Sequence, residues 1–218
     1  MTQAVKPTLR AGLWLAGFGA MASALLAGTY ALTRDQIAAS TQARLLRELS
    51  AVLPPERYDN DLSVDTLQVE DAALGGNSTI YRARKNGRPV ALILTVKALD
   101  GYSGPIDLLV GVDISGRLTG VRVTQHRETP GLGDKIETRK SDWILDFDGR
   151  SLGDPAEEQW AVRKDGGVFD QFTGATITPR AIVQAVASTL KWVADHRDAL
   201  FEAAPMPAAD TPLPEPST

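Results

Sequence analysis

The stretch TIYRARKNGRPVALILTVKA, residues 79–98, decides the fold class. Its two halves are rich in β-branched and aliphatic residues and meet at Asn86-Gly87, a dipeptide suited to the positive φ of a two-residue hairpin turn. This predicts paired antiparallel strands over residues 79–84 and 90–96. Working outward, IDLLVGV at 106–112 and LTGVRVT at 118–124 flank a turn at Ser115-Gly116, so the region from about residue 62 to 124 reads as an antiparallel meander. A further short strand is expected at 160–163, with a turn at Asp165-Gly166-Gly167. Beyond it, Ile182, Val183, Val186, Leu190 and Val193 fall on one helical face and predict a helix over 179–201. Thr178 is its expected N-cap and Pro179 its first residue, where a missing N–H costs nothing. The pattern predicts one α+β domain with a largely antiparallel sheet.

The N-terminal segment is of another kind. Residues 11–32, AGLWLAGFGAMASALLAGTYAL, carry no charge, and as a helix they extend about 33 Å, enough to cross a bilayer core of about 30 Å. Lys6 and Arg10 precede the segment while Arg34 and Asp35 offset each other after it, so the positive-inside rule puts the N-terminus in the cytoplasm. Trp14 and Tyr30 sit near its two ends, where amphipathic rings prefer the interface. A cleaved secretory signal begins in the same way, but its apolar region is usually about 7–15 residues and no small-x-small site follows here; a retained anchor is expected. Gly12, Ala16, Ala20, Ala24 and Gly28 recur every fourth residue, either as a smooth track for another helix or as a product of Ala-rich composition. Ile37, Leu45, Leu46, Leu49 and Val52 extend a helical stripe until Pro54-Pro55. The expected organisation is a cytoplasmic 1–10, a transmembrane 11–32, a periplasmic domain 33–204 and a disordered Pro-rich tail 205–218, with five prolines in its fourteen residues.

Composition excludes several functions. With 23 Lys plus Arg against 27 Asp plus Glu and a net charge of −4, the chain lacks the basic excess that nucleic-acid binding requires. It has no cysteine, which removes disulfides, thiolate metal sites, iron–sulfur clusters and thiol nucleophiles. His126 and His196 are the only histidines, too few for a multi-histidine metal centre. No nucleophile with an orienting partner stands out, so no catalytic residue is assigned.

Two clusters can carry chemistry. DQFTGATITP, residues 170–179, places three hydroxyls at a helix start, where unpaired N–H groups and the helix dipole favour an anion such as phosphate. The same residues also make an ordinary capped helix after a Thr-rich loop. HRETPGLGDK, residues 126–135, reads either as a surface turn or as a loop that lays backbone amides and Leu132 against a flat ligand. His126 is expected to be a hydrogen-bonded loop residue.

The pattern DxxTGAT at 170–176, with HxETPGLG at 126–133 and one N-terminal span, resembles the FMN-binding domain of the G subunit of the Rnf electron-transport complex. The C subunit of the sodium-pumping NADH:quinone oxidoreductase is similar. The resemblance covers the chain from about residue 11 to 200. It implies FMN joined by a phosphoester to Thr176, attached by a separate flavin transferase that uses FAD and Mg²⁺. Asp170, Thr173, Gly174 and Ala175 match the rest of the recognition motif, and Glu128, Thr129, Gly131, Leu132 and Gly133 match the loop near the flavin. Tyr102, Ser103, Gly104 and Pro105 also look like a family loop, without an assigned contact. The implied role is an electron-carrying subunit, without a catalytic site of its own, in a complex of the bacterial inner membrane. That complex couples electron transfer between ferredoxin and NAD to ion translocation, and its other membrane subunits are the implied partners. A hydroxyl-tethered flavin needs neither cysteine nor histidine, which suits this composition. Two other readings stand beside it: a periplasmic assembly module whose threonine loop only caps a helix, and a free-standing flavin reductase. A bound yellow chromophore separates the module from the flavoprotein readings.

Overall fold

The structure, a computed structural model, describes residues 5–202; the expected Pro-rich tail at 205–218 lies outside the described residues. Helix α1 runs over Val5–Ser50. Within it, Ala11–Arg34 is long and apolar enough to cross a membrane. Leu13, Trp14, Leu15, Phe18, Leu25, Leu26 and Tyr30 are all exposed, as are the small residues Gly12, Ala16, Ala20, Ala24 and Gly28. A helix that shows apolar side chains all round is matched to hydrocarbon and not to water, and this one fits a transmembrane helix.

A second compact unit begins at Leu46. Its centre is a five-stranded antiparallel sheet in sequence order: β1 (Thr66–Asp71), β2 (Gly76–Lys85), β3 (Arg88–Ala98), β4 (Ile106–Asp113) and β5 (Leu118–Gln125). The expected meander is therefore present, with one strand more than the four read from the sequence. At the β2–β3 turn both Asn86 and Gly87 have positive φ, 52° and 73°, and Lys85 pairs with Arg88. These are the dihedral signs of the hairpin turn that Asn-Gly favours.

The sheet buries both faces. Leu92, Leu94 and Val96 of β3, with Leu108 and Val110 of β4, join one apolar cluster with Ile182, Val186, Leu190 and Val193 of helix α2 (Ile177–Asp195). On the other face Ile93 and Leu109 are buried, and Val52 sits on the paired residues Gly111 and Gly120. A Cβ on Gly111 would lie 2.5 Å from Val52 Cγ1, so a glycine is required for that approach.

Two expectations need correction. The helix expected to continue to residue 201 breaks at His196, where the ring stacks on Trp192 at 4.4 Å and Nδ1 lies 2.8 Å from the Trp192 carbonyl; α3 (Arg197–Glu202) follows. The strand expected at 160–163 is a single bridge between Val162 and Phe169. The chain turns there at Gly166, with φ of 90°, and Gly167 lies against the Ala161 backbone with no room for a side chain. In place of a strand, Trp143, Phe147, Trp160, Phe169 and Phe172 pack ring against ring, at centroid separations of 4.6–6.3 Å, and extend the core under the irregular region.

Candidate functional site

The two sequence clusters come together at the start of α2. The loop that follows β5 and the segment 170–178 line one cavity of about 620 Å³, together with Tyr102 from the β3–β4 connection and Lys164. Glu128, Thr129, Leu132, Gly133, Gly174, Ala175 and Thr176 all line it, joined by Ile177 and Thr178. Asp170, Thr173 and Gly131 do not. Asp170 pairs with Arg163 at 2.9 Å, and its carbonyl accepts the Trp143 indole N–H at 2.8 Å, so it fixes where the segment begins. Gly131 has φ of 79° and donates its N–H to Asp134, which shapes the loop. Thr173 is exposed in a turn closed by the Ala175 N–H on the Phe172 carbonyl, with Gly174 at φ of 81°.

Glu128 organises the cavity. It is only 4% exposed, and both carboxylate oxygens are used: Oε1 accepts the Ser103 N–H at 2.9 Å, and Oε2 accepts the Thr178 hydroxyl. Three chain segments are thereby joined at one side chain. Hydrogen bonds to an ionised group are stronger than neutral ones, and a buried carboxylate needs them. Gly133 is glycine because that pair fills the space beside it; a Cβ there would come 2.9 Å from Glu128 and 3.0 Å from the Thr178 oxygen.

This arrangement distinguishes the threonines. Thr178 was expected to cap α2, but it lies inside the first turn, fully buried, with its hydroxyl committed to Glu128. The residue that precedes the helix is Thr176, which makes no side-chain capping bond. Its hydroxyl has no hydrogen-bond partner among the described residues, and the residue is half-buried in the cavity wall. Pro179 is accordingly the third helical residue, not the first.

His126 stands behind the loop. Its Nδ1 accepts the Glu128 N–H at 3.1 Å and its Nε2 faces Glu137 at 3.1 Å, so the ring holds the loop and not the cavity. The Glu137 carboxyl lies below the usual carboxylate range, chiefly through its hydrogen bond from Arg139 and also through His126. Sequence reading passed over Lys164 and Ile177. The RKD run around Lys164 looks like an ordinary solvated turn, and only the fold brings it to the same cavity.

Residues 101–191 match the family described as FMN-binding domain, and residues 1–52 match the family described as RnfG N-terminal region. The G subunit of the ion-translocating oxidoreductase complex from Photorhabdus laumondii subsp. laumondii is 50% identical over 196 residues, covering 88% of this chain and 94% of that protein. The protein of the same name from Cronobacter sakazakii is 50% identical over 183 residues, covering 84% and 88%, and that from Vibrio vulnificus 47% over 192 residues, covering 87% and 91%. Identity at this level over nearly the whole length leaves one conclusion: the chain belongs to the family of ion-translocating oxidoreductase complex G subunits and contains an FMN-binding domain.

Proposed function

We propose that this chain is the membrane-anchored, electron-carrying subunit of an ion-translocating complex and bears FMN as a phosphoester on Thr176. The observation that carries the proposal is the Thr176 hydroxyl, half-buried in the cavity wall at the start of a long helix and unbonded among the described residues. The cavity fits the group. Its volume of about 620 Å³ lies within the range of about 300–1,000 Å³ usual for cofactor sites. Leu132 and Ile177 supply apolar flanks for a flat ring, and Glu128, Thr129 and backbone groups supply polar ones. The N–H groups of Ile177 and Thr178, in the first turn of α2, have no intrahelical acceptor and favour a phosphate beside Thr176.

Each residue then has a task. Thr176 Oγ1 carries the phosphorus. Glu128 holds the β3–β4 connection and the first turn of α2 at fixed separation, so the cavity keeps its width. Leu132 and Ile177 limit water, and the Asp170–Arg163 pair fixes the start of the motif. Attachment is a group transfer that uses FAD as co-substrate on a Mg²⁺-dependent flavin transferase. The Thr176 Oγ–P bond forms, the pyrophosphate bond of FAD breaks, AMP leaves with that bond's electron pair, and the hydroxyl proton passes to a base on the transferase. When bound, the isoalloxazine takes up and releases one or two electrons.

In this reading residues 1–10 are cytoplasmic, 11–32 cross the bacterial inner membrane and 33–204 form the periplasmic domain. A tether matters there, because a dissociable cofactor is lost to a compartment that does not replace it. The neighbouring membrane subunits complete a route between ferredoxin and NAD that drives ion movement. Co-expression with a flavin transferase provides the test. Thr176→Ala is expected to fold, with stability within about 0.5 kcal/mol of wild type, and to lose all in-gel flavin fluorescence. FMN mapped by peptide mass spectrometry to Thr173 or Thr178 overturns the assignment; a colourless wild-type protein establishes the assembly-module reading instead.

A further inference from the structure

We infer that Lys164 is the counter-charge of the phosphodiester at Thr176, a positioning residue for the attached flavin. The inference rests on the attachment reading above. Lys164 is the middle residue of a short turn, Arg163–Asp165, and the residues on either side of it are both locked by ion pairs. Arg163 pairs with Asp170 at 2.9 Å, at the beginning of the DxxTGAT segment. Asp165 accepts two hydrogen bonds from Arg180, at 2.6 and 2.9 Å, in the first turns of the helix that ends it. The turn is therefore clamped to both ends of the segment that carries Thr176. A third tie runs from the Lys164 backbone N–H to the Gln171 side-chain oxygen at 3.3 Å.

The Lys164 ammonium itself forms no ion pair among the described residues, and it is the one cationic side chain among those lining the cavity. The one carboxylate in the lining, Glu128, has both oxygens taken by Ser103 and Thr178. A phosphodiester on Thr176 places a full negative charge in a partly enclosed space that already holds this carboxylate. An anion there needs a nearby cation, and Lys164, a flexible stem rooted in a turn that lines the same cavity, can supply it as a point charge. The neighbours Arg163 and Arg180 are each engaged in an ion pair, and neither lines the cavity.

The test uses the full-length chain in maltoside micelles, loaded by the transferase and then purified from it. Peptide mass spectrometry first locates FMN; a site other than Thr176 removes the underlying reading. With FMN on Thr176, the phosphorus NMR resonance of the phosphodiester is compared among wild type, K164M, K164R and K191M. Lys191 pairs with Glu157 and does not line the cavity, so K191M is the control. The expected result is a displaced resonance in K164M, with K164R and K191M close to wild type. Transfer from FAD in low salt is expected to slow about two- to five-fold in K164M, the size of an exposed ion pair, and the gap closes as salt rises. An unchanged resonance in K164M overturns the inference even if transfer slows, because a lysine that serves only the transferase leaves the attached phosphodiester undisturbed.

Discussion

The sheet with α2 and the cavity at the start of α2 are built by different means. The sheet's stability is spread over many apolar side chains, Leu92, Leu94, Val96, Val110, Ile182 and Val186 among them, each contributing a similar amount and none unique. The cavity is held by a few polar contacts that converge on Glu128, and each has one partner only. Damage to the first region is graded, whereas damage to the second is all-or-none for the site even where the fold survives.

The largest effect on stability should come from the first region. Leu94→Ala, at a fully buried position, is expected to cost about 2–5 kcal/mol in chemical denaturation while the molecules that remain folded still accept flavin. Flavin loading that fell much further than the folded fraction would erase the contrast. Glu128→Ala should cost less, about 1–3 kcal/mol, since it strands the Ser103 N–H and the Thr178 hydroxyl. Its loading should nevertheless fall more steeply than that of Leu94→Ala. Combined with Thr178→Val in a double-mutant cycle, the two losses should be clearly less than additive, and additivity would show that the pair does not act as a unit.

Acid gives the smallest effect. The Asp165 carboxyl is held below its ordinary range by Arg180, Asp71 by the Ala73 N–H and then by Trp192, and Glu137 by Arg139 and then His126. Carboxylates depressed in the folded state stabilise it at pH above their unfolded values, about 3.9–4.3, and that contribution is lost as pH falls through the lower folded values. The melting temperature is therefore expected to stay level from pH 7 to 5 and to drop below about pH 4. Asp165→Asn should make the drop shallower; a steeper one would reverse the sign assigned to the clamp.

The sequence disclosed the parts governed by local rules. Alternation and the Asn86-Gly87 turn showed the meander, and helical spacing showed the buried face of α2. Strand β1 escaped notice because TLQVED is half acidic or amide, as suits an edge strand with one wet face. In the region 133–172 only the turn at Asp165-Gly166-Gly167 was legible, for a related reason: the aromatic core there is assembled from short turns without a repeating period. For the site, the residue types at 126–133 and 170–176 were legible. Their bonding was not, because Thr178 looks like a cap until Glu128, fifty positions earlier, is found beside it. Lys164 was hidden in the same way, since nothing local links an RKD turn to Thr176.

The reach of Glu128 has a consequence for maturation. Its two bonds span 25 and 50 residues of chain, so the cavity closes only after the β3–β4 connection, the loop after β5 and α2 have all docked. If modification at Thr176 requires that closed cavity, an unfinished or misfolded chain presents a threonine in the right sequence but not in the right setting. In the proposed attachment reading, the yellow colour of a purified sample would then certify more than the presence of cofactor: it would count the molecules that had completed their folding when the transferase reached them.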